Sequence, residues 1–449
     1  MEKERVQKEV LREPPRRLID SIRYLGPGLI LSAAIVGSGE LIATTALGAR
    51  AGFTFLWIIL LGCLIKVAVQ LEYGRNCILY GQSSFQAWNT EKRGRILGLH
   101  WSVIIAFLFL ISMFIGLAGV IGGAAQVALS IFPGIPIPVW ILLVALFIAL
   151  PIYRGKYKAV EVIATTLNMI FVLAVGYCVI AVQGTIYSFG LSDLTEGLKF
   201  QLPPGALALA IGAFGITGVG SAEIFTYPSW CLEKGYARWT GPADGSEDWI
   251  RRARGWIRVM RIDALVAMVV YTITTCAFYI LGATVLQPQE RLADGNELIV
   301  QLSVIFTEVL GQQAWFVFMI GAFAVLFSTV FSNAAGYSRL WTDFFVEARL
   351  IPSNDQERRR RSIAIMAWVL PIVWGAVYLT FQKPLFLVVF MGISNSLFLL
   401  VVAYKAIVFH YRNIDTELRP SQVYRLFFWL SVISIGLMAA WALYSTLGS

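Results

Sequence analysis

Two short strings place an acid beside helix-weakening glycine inside apolar sequence. Val36-Gly37-Ser38-Gly39-Glu40 lies near the N-terminus of the 449-residue chain, and Val219-Gly220-Ser221-Ala222-Glu223 lies near its middle. Each is flanked by apolar residues over about a membrane's thickness. Glycine costs about 1 kcal/mol against alanine in a helix. An acid at mid-bilayer costs about 2.5–3.5 kcal/mol on insertion scales. Groups this costly inside a membrane mark a functional site by default. Carboxylates, hydroxyls and freed backbone carbonyls are hard oxygen donors, suited to Mg2+, Mn2+ or Ca2+. The candidate binding residues are therefore Gly37, Glu40, Gly218, Ser221 and Glu223, with Glu40, Ser221 and Glu223 as the metal ligands. Two carboxylates sharing a low-dielectric site repel; a dication, two monocations or an organic amine would relieve them. The structural alternative is that each acid caps a helix end or pairs with a base, Lys66 and Lys405 being the candidates.

Something must hold these groups in the bilayer. Hydrophobic residues make up 58% of the chain and charged residues only 14%, far below a soluble chain's quarter. About eleven transmembrane helices are expected, an all-α polytopic membrane protein. They fall near residues 25–47, 53–72, 102–132, 139–153, 160–182, 206–230, 264–286, 314–335, 362–381, 385–409 and 427–447. The first is expected to break at Gly37–Gly39 and the sixth around Gly218–Ala222. The net charge of +9 comes from basic loops: 74–101, Arg154-Gly155-Lys156, 232–260 and Arg358–Arg361. The opposite loops carry Asp193 and Glu196, then Glu290, Asp294 and Glu297. That alternation fits the positive-inside rule with a cytoplasmic N-terminus, in a plasma or inner membrane. It makes the lipid bilayer, and not nucleic acid, the large partner. Trp101, Trp256 and Tyr424, near span ends, are expected as interface anchors.

The five cysteines form no C-x-x-C pair, His100 and His410 are the only histidines, and no P-loop is present. A disulfide framework, a zinc site and an ATP-driven engine are not indicated, and no cofactor is expected. The chain divides into a tail at 1–22, a five-helix unit at 23–183, a second at 205–410 and an additional helix at 424–449. An odd number of helices per unit inverts the second copy. Glycine-broken helices at matching positions of inverted halves point to a secondary-transporter site at their interface.

The stretch GPGLILSAAIVGSGELIATTALGARAGFTFLWIILLGCLIKVAVQ, residues 26–70, resembles the first two helices of the Nramp family of divalent-metal transporters. The shared features are the GPG start, a broken segment eleven residues later and a small-residue turn. The resemblance implies the LeuT-like fold of the APC superfamily, two inverted five-helix repeats with broken helices 1 and 6, and alternating access. The family's Asp-Pro-Gly-Asn motif reads Gly37-Ser38-Gly39-Glu40 here, and its Met-Pro-His motif reads Ser221-Ala222-Glu223. Family acids of the third helix that move protons align with Gly116 and Gly119. Ligand positions carry over while ligand chemistry changes, and proton coupling is not expected.

The leading expectation is a secondary transporter or facilitator for a hard divalent cation, Mg2+ or Mn2+. The alternative is a transporter of a small organic solute, an amino acid or amine, on the same scaffold. An intramembrane enzyme using Glu40 and Glu223 lacks any accompanying nucleophile–base set, and a channel would show charge rings or a carbonyl filter. Ser328, Thr329, Ser332 and Asn333 share a face of the eighth span and are candidate ligands for a coupling ion such as Na+. Asn395, in the tenth span, stands where the family has a polar substrate-facing residue. Thr44, Thr45 and Thr226 follow the two breaks, and Gly122-Gly123-Ala124 reads as a close helix contact.

Overall fold

The computed structural model describes residues 11–153, 157–201, 207–289, 303, 307–308, 311, 314–412 and 418–447. The loop charges expected at Arg154–Lys156 and Glu290–Glu297 lie outside them. The described chain is helical apart from one small antiparallel hairpin, Arg95–Ile96 with Leu99–His100. In chain order the main helices are α1 Pro27–Ile35, α2 Thr45–Ala51, α3 Leu56–Ile65, α4 Val67–Tyr80, α5 Trp101–Ile131, α6 Ile137–Tyr153 and α7 Tyr157–Ala181. They continue with α8 Leu207–Ile216, α9 Ser221–Lys234, α10 Glu247–Leu281, α11 Ala314–Glu347, α12 Gln356–Phe381, α13 Pro384–Tyr411 and α14 Gln422–Leu447. By length and composition, eight helices among the described residues can cross a membrane. The number is nine if the bent pair Leu18–Tyr24 and Pro27–Ile35, 64° apart, counts as one. The expected fourth span is the shorter apolar α6, and the expected sixth is divided between α8 and α9.

Both expected breaks are irregular, in different ways. Between α8 and α9 the helix stops: Thr217–Gly220 are non-helical and Gly218 has φ +61°, a left-handed conformation that glycine adopts without strain. The first irregularity falls at Gly37–Gly39, where the break was expected, and takes the form of altered winding. The chain stays wound from α1 into α2, but residues Val36–Thr44 form a π-helix. A π segment shifts the i→i−4 ladder by a residue and so re-aims carbonyls without losing the helical path.

Glycine sets how closely the helices approach. A Cβ on Gly392 of α13 would lie 2.0 Å from the Gly212 carbonyl oxygen of α8, and one on Gly215 would lie 1.8 Å from the Gly392 carbonyl oxygen. On α5 a Cβ would strike Met391 from Gly116, the Pro384 carbonyl from Gly119 and the Tyr378 ring from Gly122. Gly116 and Gly119 thus let α5 approach α13 closely. Gly122 bears out close packing. Gly392→Ala is expected to destabilise the protein by about 1–3 kcal/mol or more, because its new methyl meets fixed backbone. Thermal unfolding in detergent checks this, and an unchanged midpoint would refute the contact.

Some expectations need correction. Trp256 is not an interface anchor: it is buried, and its indole N–H donates to the Arg12 carbonyl at 2.9 Å. Residues 247–260, expected within the basic loop 232–260, form the first part of α10. His100 caps α5, accepting from the Ser102 N–H, and His410 is buried against Glu72 at 3.0 Å.

Candidate functional site

The α8–α9 break, the π segment, α11 and α13 meet in the middle of the bundle. The π segment packs against α8, α10, α11 and α13. The N-terminus of α9 presents backbone N–H groups that have no partner within the helix. Asn395 of α13 meets them: its Oδ1 accepts from the Ala222 N–H at 3.1 Å and from the Ser221 hydroxyl at 2.8 Å. Its own amide donates back to the Met391 carbonyl at 3.0 Å, which fixes the flip of the side chain. Two of the expected binding residues, Ser221 and Asn395, are therefore in contact.

Glu223 is the third residue of α9, where an acid stabilises the positive end of a helix. Its carboxylate folds back over Gly220, so that a Cβ there would lie 2.6 Å from Oε2. The side chain is partly exposed, unlike its neighbours Ser221 and Ala222. Glu223 thus stands at the break and at a capping position at once. The side chain of Glu40 lies outside the described residues; its backbone belongs to the π segment.

Of the bases offered as alternative partners, Lys405 is taken up by a different acid, Glu91, at 2.6 Å. Lys66, at the joint of α3 and α4, donates to the carbonyls of Phe214 at 2.7 Å and Thr217 at 2.5 Å, the C-terminal end of α8.

On the other side, Thr329 of α11 holds the first break. Its hydroxyl donates to the Ala33 carbonyl at 2.9 Å and accepts from the Gly37 N–H at 2.9 Å. A Cβ on Gly37 would lie 2.2 Å from that oxygen, so this close approach requires glycine. Asn333 donates to the Ala34 carbonyl at 3.3 Å. Of the four expected coupling-ion residues, Thr329 and Asn333 face the break. Ser328 bonds its own helix at Val325, and the buried Ser332 hydroxyl has no partner among the described residues. Thr226 bonds the Ala222 carbonyl within α9, while Thr44 and Thr45 are buried. No group of three or more His, Cys, Asp or Glu able to hold a metal occurs among the described residues. Any cation held here draws on hydroxyl, amide and carbonyl oxygens besides the acids.

Asp263 of α10 was outside every expectation. It is fully buried and accepts from the Gly26 N–H at 2.8 Å and the Gly28 N–H at 2.6 Å. A Cβ on Gly28 would lie 2.7 Å from the Asp263 carbonyl oxygen, which explains the second glycine of the GPG start. Around it Lys234 bridges Glu161 at 2.6 Å and the Leu25 carbonyl at 2.7 Å.

The comparisons with known proteins agree on one family. The family model described as "Natural resistance-associated macrophage protein-like" matches residues 28–445. Similar curated proteins include the divalent metal cation transporters MntH of Latilactobacillus sakei and Staphylococcus saprophyticus. The first is 24% identical over 267 residues, covering 58% of this chain and 54% of that protein. The second is 26% identical over 262 residues, covering 58% and 55%. The matched part of the chain spans about half the length of these curated relatives. Among solved structures, the Eremococcus coleocola manganese transporter aligns with a TM-score of 0.65 at 14% identity, covering 98% of this chain and 91% of that one. MhsT in complex with L-phenylalanine aligns with a TM-score of 0.57 at 13% identity, covering 97% and 99%. These structures share the LeuT-like fold.

Proposed function

This chain belongs to the Nramp family, and from that premise we propose that it is a secondary transporter or facilitator of a hard divalent cation, Mg2+ or Mn2+. The proposed cycle is alternating access without proton coupling, by two inverted five-helix repeats at 23–183 and 205–410, with 424–449 as an additional helix. The N-terminus is cytoplasmic in this reading. Gly37, Glu40, Gly218, Ser221, Glu223 and Asn395 form the substrate site, with Glu40, Ser221 and Glu223 as metal ligands. The observation that carries the reading is the meeting of Ser221 and Asn395 at the α8–α9 break, beside Glu223. The side-chain donors of Ser221, Glu223 and Asn395 are oxygens, the class that favours hard cations over soft ones, with the Met113 thioether 3.8 Å from the Asn395 amide nitrogen. Uncoupled transport in this reading is supported by Gly116 and Gly119, which carry no titratable group and pack closely against neighbouring helices.

Uptake into proteoliposomes tests this. Mn2+ and Mg2+ are expected to enter saturably, with no accompanying acidification of the lumen. Entry of neither ion would refute the cation reading, and acidification that tracks uptake would refute uncoupled transport. One observation favours the second reading, an amino acid or amine as cargo: Lys66, buried beside the break, repels a second cation and attracts a carboxylate. A thermal-shift screen separates the two, since amino acids stabilise the protein only under the second reading.

A further inference from the structure

Lys66 has no place in the ligand set above, yet its side chain is fully buried. Its nitrogen stands on the Phe214 and Thr217 carbonyls and 4.9 Å from the centre of the Phe214 ring. Those carbonyls close the last turn of α8. The C-terminal end of a helix has carbonyls without intrahelical donors and a partial negative charge. Beside them the Thr217 hydroxyl is buried with no hydrogen-bond partner among the described residues. Converging carbonyls and an aromatic face are the makings of a monovalent-cation site. Here a compact ammonium on a flexible stem already fills it. A dissolved ion could leave at each turnover; a side chain cannot.

We propose that Lys66 is a built-in counter-cation, holding at the end of α8 the position that a dissolved Na+ or K+ would otherwise take, so that movement of the break draws no monovalent ion from solution. This rests on the transport reading but not on which solute is carried. With the Lys66 ammonium removed, the two carbonyls remain as oxygen donors for a small ion.

The test uses the full chain with Lys66→Met and Lys66→Gln, in choline, Na+ and K+ chloride at equal ionic strength. Mn2+ uptake and thermal unfolding are both measured. The wild-type protein is expected to give one rate and one midpoint in all three salts. Each variant is expected to lose uptake about tenfold in choline and to recover most of it in Na+ or K+. Its midpoint should rise saturably with the recovering ion. Variants that behave alike in all three salts would overturn the proposal, as would a wild-type protein that needs Na+. If Lys66→Met does not fold, Lys66→Gln, whose amide still donates to carbonyls, carries the comparison. If the wild-type protein moves no Mn2+, the Mn2+ reading falls and transport itself does not, and salt-dependent unfolding of the variants still decides the role of Lys66.

Discussion

Replacing Glu40 and Glu223 together by glutamine is expected to reduce Mn2+ and Mg2+ uptake to background, a loss on the order of a hundredfold or more. Each tenfold is about 1.4 kcal/mol, and removing both acids leaves a dication in low dielectric with neutral oxygens alone. The single Glu223→Gln variant separates ligand from cap. Glutamine serves at the third position of a helix nearly as well as glutamate, because its side-chain oxygen still accepts from the N-cap N–H. Folding and thermal stability without metal should therefore stay close to wild type while uptake falls. Glu223→Ala loses the cap as well and should lower both. Wild-type uptake in the double variant would remove the acids from the transport reading altogether. A Glu223→Gln variant that loses stability in proportion to uptake would make Glu223 a cap and nothing more. Asn395→Ala should resemble Glu223→Ala in stability, since it orphans the Ala222 N–H and the Ser221 hydroxyl.

The spans were legible because the bilayer demands long apolar runs, and the break between α8 and α9 was legible because a left-handed Gly218 interrupts one of them. The first break was legible in place but not in form. Glycines at 37 and 39 weaken an α-helix, and only the contact with Thr329 shows why the chain rewinds as a π segment and does not open. The cytoplasmic-type charges misled: Arg251, Arg252, Arg254 and Arg258 read as a loop, yet they are carried by α10, which continues beyond its apolar half as an amphipathic extension. That error hid Asp263, which appeared to precede a span and in fact lies within a helix. Lys66 was legible as an anomaly in an apolar run. Its target was not, because helix-end carbonyls have no signature in side-chain sequence. The contact of Ser221 with Asn395 was not legible, because it joins residues 174 apart on different helices, whereas Ser328 turned to its own helix, as hydroxyls in apolar spans often do.

Asp263→Ala is expected to be the most destabilising single change outside the ligand set. The carboxylate takes both the Gly26 and Gly28 N–H groups at the start of α1. Those groups lie at a helix start, where no intrahelical acceptor exists, and Gly26 precedes a proline that donates nothing. A hydrogen bond to a charged group contributes about 1.5–3 kcal/mol, so losing two costs about 3 kcal/mol or more, since both donors stay buried. Asp263→Asn should fall between, because its single side-chain oxygen serves one N–H while its amide nitrogen confronts the other as donor to donor. The damage should also be local. The start of α1 is held further by Lys234 on the Leu25 carbonyl and by the Tyr236 hydroxyl on the Tyr24 carbonyl at 2.7 Å. Hydrogen exchange at residues 22–30 should accelerate before the α5–α12–α13 contacts loosen. Uniform acceleration through the bundle, or an unfolding midpoint equal to wild type, would show that Asp263 does not anchor the first span. A local effect places the start of α1 under the control of α9 and α10, the elements that flank the α8–α9 break.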